Sequence, residues 1–203
     1  MREKKKLSLP VVVEGRYDKN TLSQLFDAVI VSVDGFGVFN SKEKQALIKK
    51  IGSGGIILLT DSDGGGKQIR SFLLGILPRD KVHNLYIPQI SGKERRKSKP
   101  SKAGFLGVEG MEPQLLIDLF APFILDEKRD TGADREPVTP LDFYNDGLSG
   151  GEGASLLRAR LAISYGLPSD ISAKALREAI NLISSRGEYR EKMDEILASG
   201  EKE

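Results

Sequence analysis

Short apolar runs alternate with helix-like segments through the first 120 residues of this 203-residue chain. The runs cover residues 9–13, 29–33, 55–60 and 82–87, and glycine, proline or charged residues flank them. Runs of this length and composition are typical of buried strands. Chains that alternate strands with helices form a parallel sheet covered by helices, with right-handed crossovers. The pattern therefore predicts an α/β fold with a parallel four-stranded sheet and flanking helices.

The segments between the runs carry apolar residues at helical spacing. After the first run, Asp18 or Asn20 is predicted to cap a helix that continues to Asp27. After the second run, Ser41 is predicted to cap another helix. We expect three residues of that helix to face the sheet, namely Ala46, Leu47 and Ile51.

Composition excludes several kinds of site. The chain has no cysteine and one histidine, His83, which excludes disulfides, thiol nucleophiles and cysteine-type zinc sites, and removes most Ser–His chemistries. No apolar run approaches the length of a membrane span, and residues 1–6 lead into a strand rather than into the apolar region of a signal peptide. We therefore expect a soluble, cytoplasmic protein. The formal net charge of +2 is too small to identify a nucleic-acid partner.

Three carboxylates follow two of the predicted strands. Glu14 ends the first run, and Asp61 and Asp63 follow the run 55–60. If these strands are neighbours in a parallel sheet, all three acids lie at its carboxyl edge, where open α/β sheets place their sites. Carboxylate oxygens suit Mg²⁺, with water and phosphate oxygens completing the coordination. The acids are therefore predicted to be catalytic and to hold one or two Mg²⁺ ions in an enzyme that acts on a phosphodiester.

Glycines and cations lie beside these acids. Gly64, Gly65 and Gly66 are predicted to let a phosphate approach the backbone N–H groups at the start of the next helix. Arg16 and Lys67 are candidates for steadying the scissile phosphate. Further turn positions near the predicted edge are Gly15, Asp18 and Gly35.

Each acid also has a simpler interpretation. Taken alone, Glu14 or Asp61 is better explained as a helix cap. Asp61 at the end of a third strand also suits a phosphorylation receiver, but a receiver needs an acidic pair after its first strand and only Glu14 is present. The glycine run before Lys67 is not a P-loop, because it is too short and Gln68 stands where Ser or Thr belongs.

Residues 88–107 form a basic segment, with six cations and one acid. Its glycines, prolines and serines disfavour both helix and strand. We predict a flexible loop that contacts the phosphate backbone of RNA. The cations are Lys93, Arg95, Arg96, Lys97, Lys99 and Lys102.

The chain is predicted to have two domains. Residues 125–140 are acidic and contain glycine and proline, as is typical of a linker. Beyond them lie helical patterns, one of which carries an apolar stripe of Leu176, Ile180 and Ile183. We expect a catalytic domain over residues 1–124, the linker, and a small α-helical C-terminal domain over 141–203, in which Arg158 and Arg160 either contact RNA or only pack.

Two motifs resemble the Toprim domain of topoisomerases, bacterial primases and OLD-type nucleases. They are Glu14-Gly15-Arg16-x-Asp18 and Thr60-Asp61-x-Asp63-x-x-Gly66, each after a strand. With three later motifs, nearly the whole chain resembles the ribonuclease M-five family. These motifs are Lys102-x-x-x-x-Gly107-Val108-Glu109, Gly147-Leu148-x-Gly150-Gly151 and Arg158-x-Arg160-Leu161. The family consists of Toprim endoribonucleases that mature the 5S ribosomal RNA precursor. The resemblance implies that activity, Mg²⁺ as cofactor, structured precursor RNA as partner, and a ribosomal protein as a further partner that folds the RNA.

The chain departs from the family pattern near the acids. Tyr17 stands where the family has a second Asp, and the loop 61–67 reads Asp-Ser-Asp-Gly-Gly-Gly-Lys without the family's two prolines and with a base in place of an acid. Two functions therefore stay open. One is a Mg²⁺-dependent endoribonuclease acting on 5S precursor RNA. The other is a catalytically weak nucleic-acid-binding or primase-like accessory protein acting on another RNA or on DNA.

Overall fold

The computed structural model describes residues 3–61, 63–93, 104–125 and 136–200. The chain forms two compact units, Met1–Arg129 and Asp130–Glu203. No helix within the described ranges has the length and apolar character needed to cross a membrane.

The first unit alternates strands and helices. Its elements are β1 Lys5–Lys6, β2 Val11–Val13, α1 Arg16–Leu25, β3 Phe26–Asp27, β4 Ile30–Ser32, α2 Lys42–Ile51, β5 Ile56–Thr60, α3 Gly64–Ile76, β6 Val82–Tyr86 and α4 Pro113–Leu119. Four of the strands form one parallel sheet in the order β4-β2-β5-β6. The predicted parallel four-stranded sheet is confirmed.

The two central strands, β2 and β5, are buried along their whole length. Helices cover the sheet and supply the other half of its core, with Leu22 of α1, Ile48 of α2 and Leu73 of α3 all fully buried. Strands covered on both faces read as continuous apolar runs rather than alternating ones. This is why β2 and β5 could be recognised from the sequence.

Helix α1 begins earlier than predicted. Gly15 takes the N-cap position, and the predicted start at Asp18 or Asn20 is wrong. Asp18 lies in the first turn, where its carboxylate accepts a hydrogen bond from the N–H of Gly15 at 2.9 Å. The helix ends at Leu25, because Phe26 and Asp27 pair with Lys5 and Lys6 in a short parallel ladder.

Helix α2 is capped by Ser41 as predicted, but its inward face differs. Leu47 is 46% exposed, whereas its neighbour Ile48 is fully buried. The amide of Gln45 explains the orientation, since it donates to the carbonyls of Val38 at 2.8 Å and Phe39 at 3.1 Å. Gln45 and Ile48 therefore share the inner face, and Ala46 and Leu47 point to solvent.

The second unit contains four helices. They are α5 Pro140–Asn145, α6 Ala154–Ser164, α7 Ala173–Ile183 and α8 Arg186–Gly200. Leu176 and Ile180 of the predicted apolar stripe are fully buried. Phe143 and Tyr189 stack across α5 and α8, with ring centroids 6.0 Å apart.

An ion-pair network ties α5 to α8. Asp142 accepts from Arg186 at 2.6 Å and from Arg190 at 3.0 Å, and Arg190 also donates to Asp146 at 2.7 Å. Hydrogen bonds from Thr139 and the two guanidinium groups lower the pKa of Asp142. Tyr189, fully buried, donates to Asp146, and burial raises its pKa. The network fixes the packing of the first and last helices of this unit.

Candidate functional site

The acids that follow β2 and β5 lie at one edge of the sheet. In the parallel register Val13 pairs with Leu59, and each strand ends within one residue of this pair. Glu14 is the residue after β2, and Asp61 is the residue after β5. Since these two strands are direct neighbours, the structure places both carboxylates at the carboxyl edge, in the centre of the sheet.

Glu14 is buried among like charges at this edge. Burial and the charges of Asp61, Asp63 and Asp18 raise the pKa of Glu14 to about 7, while a hydrogen bond from the N–H of Asp61 opposes the rise. Its Oε2 is buried and has no hydrogen-bond partner in the parts of the chain that the structure describes. Desolvation and like charges both disfavour an ionised carboxylate. A cation bound among these acids would favour the ionised form of Glu14.

Asp63 begins α3. Its Oδ1 accepts a hydrogen bond from the N–H of Gly66 at 2.9 Å, which is the bond of a helix N-cap. The helix-cap role that the sequence suggested for Glu14 or Asp61 is therefore taken by Asp63. One oxygen of Asp63 is engaged in the cap, and the group still raises the pKa of Glu14 through its charge.

The three glycines at the start of α3 are not equivalent. A Cβ at Gly66 would lie 2.1 Å from the carbonyl oxygen of Asp61, so only glycine fits there. A Cβ at Gly64 would meet no atom within 4 Å. The N–H of Gly66 is used by Asp63, which leaves Gly64 and Gly65 as the positions where a phosphate could reach the backbone. Gly66 instead holds the start of α3 tightly against Asp61, and the hydroxyl of Thr60 donates to its carbonyl at 3.1 Å.

Two candidate cations lie on the first turns of the helices that begin at this edge. Arg16 is exposed on α1, where its guanidinium lies 4.8 Å from the ring centroid of Tyr17 and donates to its hydroxyl at 3.0 Å. Tyr17, which replaces an acid of the family pattern, therefore supports Arg16. Lys67 is exposed on α3.

The loop after β4 is tied to the same edge. Asp34 and Gly35 both have left-handed backbone conformations, with φ of 57° and 60°. The N–H of Gly35 donates to the carbonyl of Glu14 at 3.0 Å. Asp34 accepts from Ser32 at 2.9 Å and pairs with Lys44, and the bond from Lys44 lowers its pKa. The chain then forms a 3₁₀ helix, Gly35–Phe39, that carries the exposed ring of Phe36.

Arg70 was not identified from the sequence. It is 7% exposed on α3, and it donates to the carbonyls of Thr60 at 3.3 Å and Leu85 at 2.9 Å. Its guanidinium also lies 4.0 Å from the ring centroid of Tyr86, and burial lowers its pKa. Arg70 thereby links the carboxyl end of β6 to that of β5, which Asp61 follows directly. A lone arginine in an amphipathic helix carries no sequence signal for such burial.

Two other predicted residues follow β6 in the chain, and the rest of the basic segment lies outside the described ranges. Lys93 is exposed next to a bridge between Ser91 and Phe105. Glu109 lies in a 3₁₀ helix, Val108–Gly110, that contacts α1. The remaining cations of the basic segment lie outside the described residues, namely Arg95, Arg96, Lys97, Lys99 and Lys102.

Arg158 and Arg160 have structural partners within the second unit. Arg158 donates to the carbonyl of Leu148 at 2.7 Å. Arg160 donates to the carbonyl of Ile196 at 3.2 Å and to the hydroxyl of Ser199 at 2.7 Å. These bonds favour packing over RNA contact as the role of both residues.

The donor set fits a hard cation, although the ligands are not gathered as they would be around one. Within residues 3–61, 63–93, 104–125 and 136–200, no three acids, histidines or cysteines approach closely enough to hold a metal ion. Carboxylate oxygens are nevertheless the ligands that Mg²⁺ prefers, and the buried Oε2 of Glu14 is available for one.

A parallel sheet of order β4-β2-β5-β6, with Glu14 after one central strand and Asp61 and Asp63 after the other, defines a Toprim-type domain. The chain is 32% identical to a protein named Ribonuclease M5 from Fusobacterium nucleatum, over 92% of this chain and 96% of the relative. It is 27% identical to Ribonuclease M5 of Lactiplantibacillus plantarum, over 88% and 89%. The chain belongs to the ribonuclease M5 family.

Family models and solved structures were also compared with the chain. No family model matches the chain. A small TOPRIM domain protein from Bacillus stearothermophilus aligns with 61% of this chain and 90% of its own, at 20% identity and a TM-score of 0.37. Membership of the ribonuclease M5 family follows from the sequence relatives, which match along nearly the full chain.

Proposed function

We propose that this protein is a Mg²⁺-dependent endoribonuclease that cleaves structured RNA, with the 5S ribosomal RNA precursor as its substrate. The observation that carries the proposal is the group of acids at the carboxyl edge, in a chain that aligns with Ribonuclease M5 over 92% of its length. Glu14 and Asp61 lie at adjacent strand ends, and the charge of Asp63 acts on Glu14. This arrangement supports a cation site where a phosphate can reach it.

Glu14, Asp61 and Asp63 would hold the ion. Mg²⁺ bound there would supply positive charge to the phosphate oxygens at the reacting centre. Arg16, steadied by Tyr17, would bind a phosphate on the α1 side, and Lys67 would do so on the α3 side. The N–H groups of Gly64 and Gly65 would orient a phosphate at the start of α3.

The RNA would be held by a second group of residues. The basic segment follows β6, whose carboxyl end lies beside that of β5, so it leaves the sheet at the same edge as the acids. We assign phosphate contacts to Lys93 and to the five cations that follow it in the sequence. A protein that acts on ribosomal precursor RNA would work in the cytoplasm, and a ribosomal protein that folds this RNA is a further partner in the proposal.

Two observations favour the alternative of a weak or inactive accessory protein. Asp63 caps α3, and no preformed three-ligand group exists within the described residues. Such a protein would bind structured RNA or DNA without cutting it. Of the two, only the endoribonuclease would produce shortened RNA.

The direct test is incubation of the purified chain with 5S precursor RNA in Mg²⁺, with a matched sample in EDTA. The proposal predicts shortened 5S RNA in Mg²⁺ and intact precursor in EDTA. A precursor that binds but stays intact in Mg²⁺, with the ribosomal proteins that fold 5S RNA also present, would indicate the accessory role instead.

A further inference from the structure

Phe36 is an exposed aromatic residue beside the acids. Its side chain is 54% exposed, although large apolar side chains gain free energy by burial. It follows Gly35, whose N–H donates to the carbonyl of Glu14 at 3.0 Å. The ring therefore stands on a loop that is tied directly to the proposed catalytic edge.

The ring of Phe36 is supported from below by two other aromatic residues. Phe36 stacks on Phe39 with centroids 5.6 Å apart and planes 24° apart. Phe39 in turn contacts Phe72 of α3 edge-on, at 4.7 Å and 71°. Both inner rings pack against the buried core of the sheet. One face of Phe36 is therefore occupied within the protein, and the ring presents a surface to solvent from a well-supported position.

The ring also lies across the first turn of α3. A Cβ at Gly65 would lie 3.7 Å from Cζ of Phe36 and 3.4 Å from Oδ1 of Asp63. The aromatic ring and the carboxylate thus flank the same glycine. A phosphate bound near Gly65 would place its own nucleoside within reach of Phe36.

We propose that Phe36 stacks against an unpaired nucleobase adjacent to the phosphodiester that the acids act on. Proteins recognise unpaired RNA bases by stacking them on aromatic rings, and such stacking tolerates any base. The inference rests on the proposed function, because it takes RNA as the ligand. Phe36 would position the substrate strand and would not take part in the chemistry itself.

The chain contains no tryptophan, so a single introduced tryptophan reports on its own surroundings. Phe36→Trp keeps an aromatic ring at the site. Val29→Trp is the matched control, because Val29 is 59% exposed and precedes β4, at the opposite edge of the sheet from Phe36. The probe is 5S precursor RNA in EDTA, which prevents cleavage during the titration.

The expected result is saturable quenching of Phe36→Trp by the RNA, with little change in Val29→Trp. In Mg²⁺, Phe36→Ala and Phe36→Leu should lower kcat/KM for the precursor by roughly 5- to 100-fold, mainly through KM, whereas Phe36→Tyr should cleave like the wild type. A lower kcat/KM in Phe36→Leu as well as in Phe36→Ala would distinguish base stacking from simple apolar packing against another protein.

Equal responses of the two tryptophans, or wild-type kcat/KM in Phe36→Leu, would overturn the inference while leaving the proposed function intact. If the wild type cleaves no precursor, the proposed function fails, but the titration still decides the inference. Selective quenching of Phe36→Trp, together with weaker filter binding by Phe36→Ala, would then support base stacking in a protein that binds RNA without cutting it.

Discussion

At the residue scale, Glu14 combines burial with proximity to like charges. Its pKa in the folded chain is about 7, against an ordinary value of 4.5. Between these two values the folded protein binds more protons than the unfolded chain, so metal-free stability falls as the pH rises through this window. Above pH 7 the ionised carboxylate destabilises the fold to its full extent.

Replacing Glu14 by Gln should therefore stabilise the metal-free protein at high pH. In EDTA at pH 8 we expect Glu14→Gln to raise the free energy of unfolding by about 1–2 kcal/mol, a value reduced for the partial exposure of the side chain. The gain should shrink at pH 5, where the wild-type carboxyl is protonated. Thermal unfolding at both pH values measures this, and an equal gain at both would contradict the electrostatic explanation.

The acids could be predicted from the sequence, but Phe36 and Arg70 could not. Glu14, Asp61 and Asp63 each stand at a fixed offset from an apolar run, so their location follows once the strands are recognised. The exposure of Phe36 and the burial of Arg70 depend on how α3 packs against the loop after β4 and against the strand ends. The spacing of these residues in the sequence does not predict that packing.

At the element scale, the start of α3 depends on a close backbone approach. Gly66→Ala would place a Cβ 2.1 Å from the carbonyl oxygen of Asp61. We expect this substitution to lower the free energy of unfolding by about 2–3 kcal/mol, because backbone must move. Gly64→Ala, which meets open space, should change it by less than about 0.5 kcal/mol. Urea unfolding of both variants provides the comparison, and similar effects would show that the approach at Gly66 can relax.

The elements that the sequence shows most clearly are the two strands whose burial is complete. The strands β2 and β5 are apolar because both faces are covered, and the sequence shows this directly. Of the three residues of α2 predicted to face inward, Ile51 packs against the core, but Ala46 and Leu47 are exposed. The amide of Gln45 donates to two carbonyls and takes an inward position that hydrophobicity assigns elsewhere. The ladder between β1 and β3 was missed, since two-residue strands have no measurable period.

At the scale of the whole molecule, charge on the basic segment should govern RNA affinity. Replacing Lys93, Arg95, Arg96 and Lys97 by Ala should weaken binding of any structured RNA. It should also flatten the log–log dependence of affinity on salt by up to about one unit per lost contact. Turnover of bound RNA should change much less, because the acids lie on other loops. Filter binding over a range of salt concentrations measures the slope.

The control for loss of charge alone is replacement of Lys49 and Lys50. Both are exposed in the last turn of α2, which leads into β5 at the edge opposite the acids. We expect their removal to change the slope less per charge than removal of the basic-segment cations. An unchanged slope in the basic-segment variant would mean that other residues hold the RNA.

If the acids at the sheet edge hold a catalytic ion, cleavage must depend on the charge of Asp63. Asp63→Asn keeps an oxygen that can accept from Gly66, since asparagine is also a strong N-cap, and removes only the charge. We expect Asp63→Asn to keep the melting temperature and RNA affinity of the wild type but to lose cleavage of 5S precursor RNA at low millimolar Mg²⁺. Full cleavage by Asp63→Asn under these conditions would show that Asp63 is only a helix cap and is not needed to hold a catalytic ion.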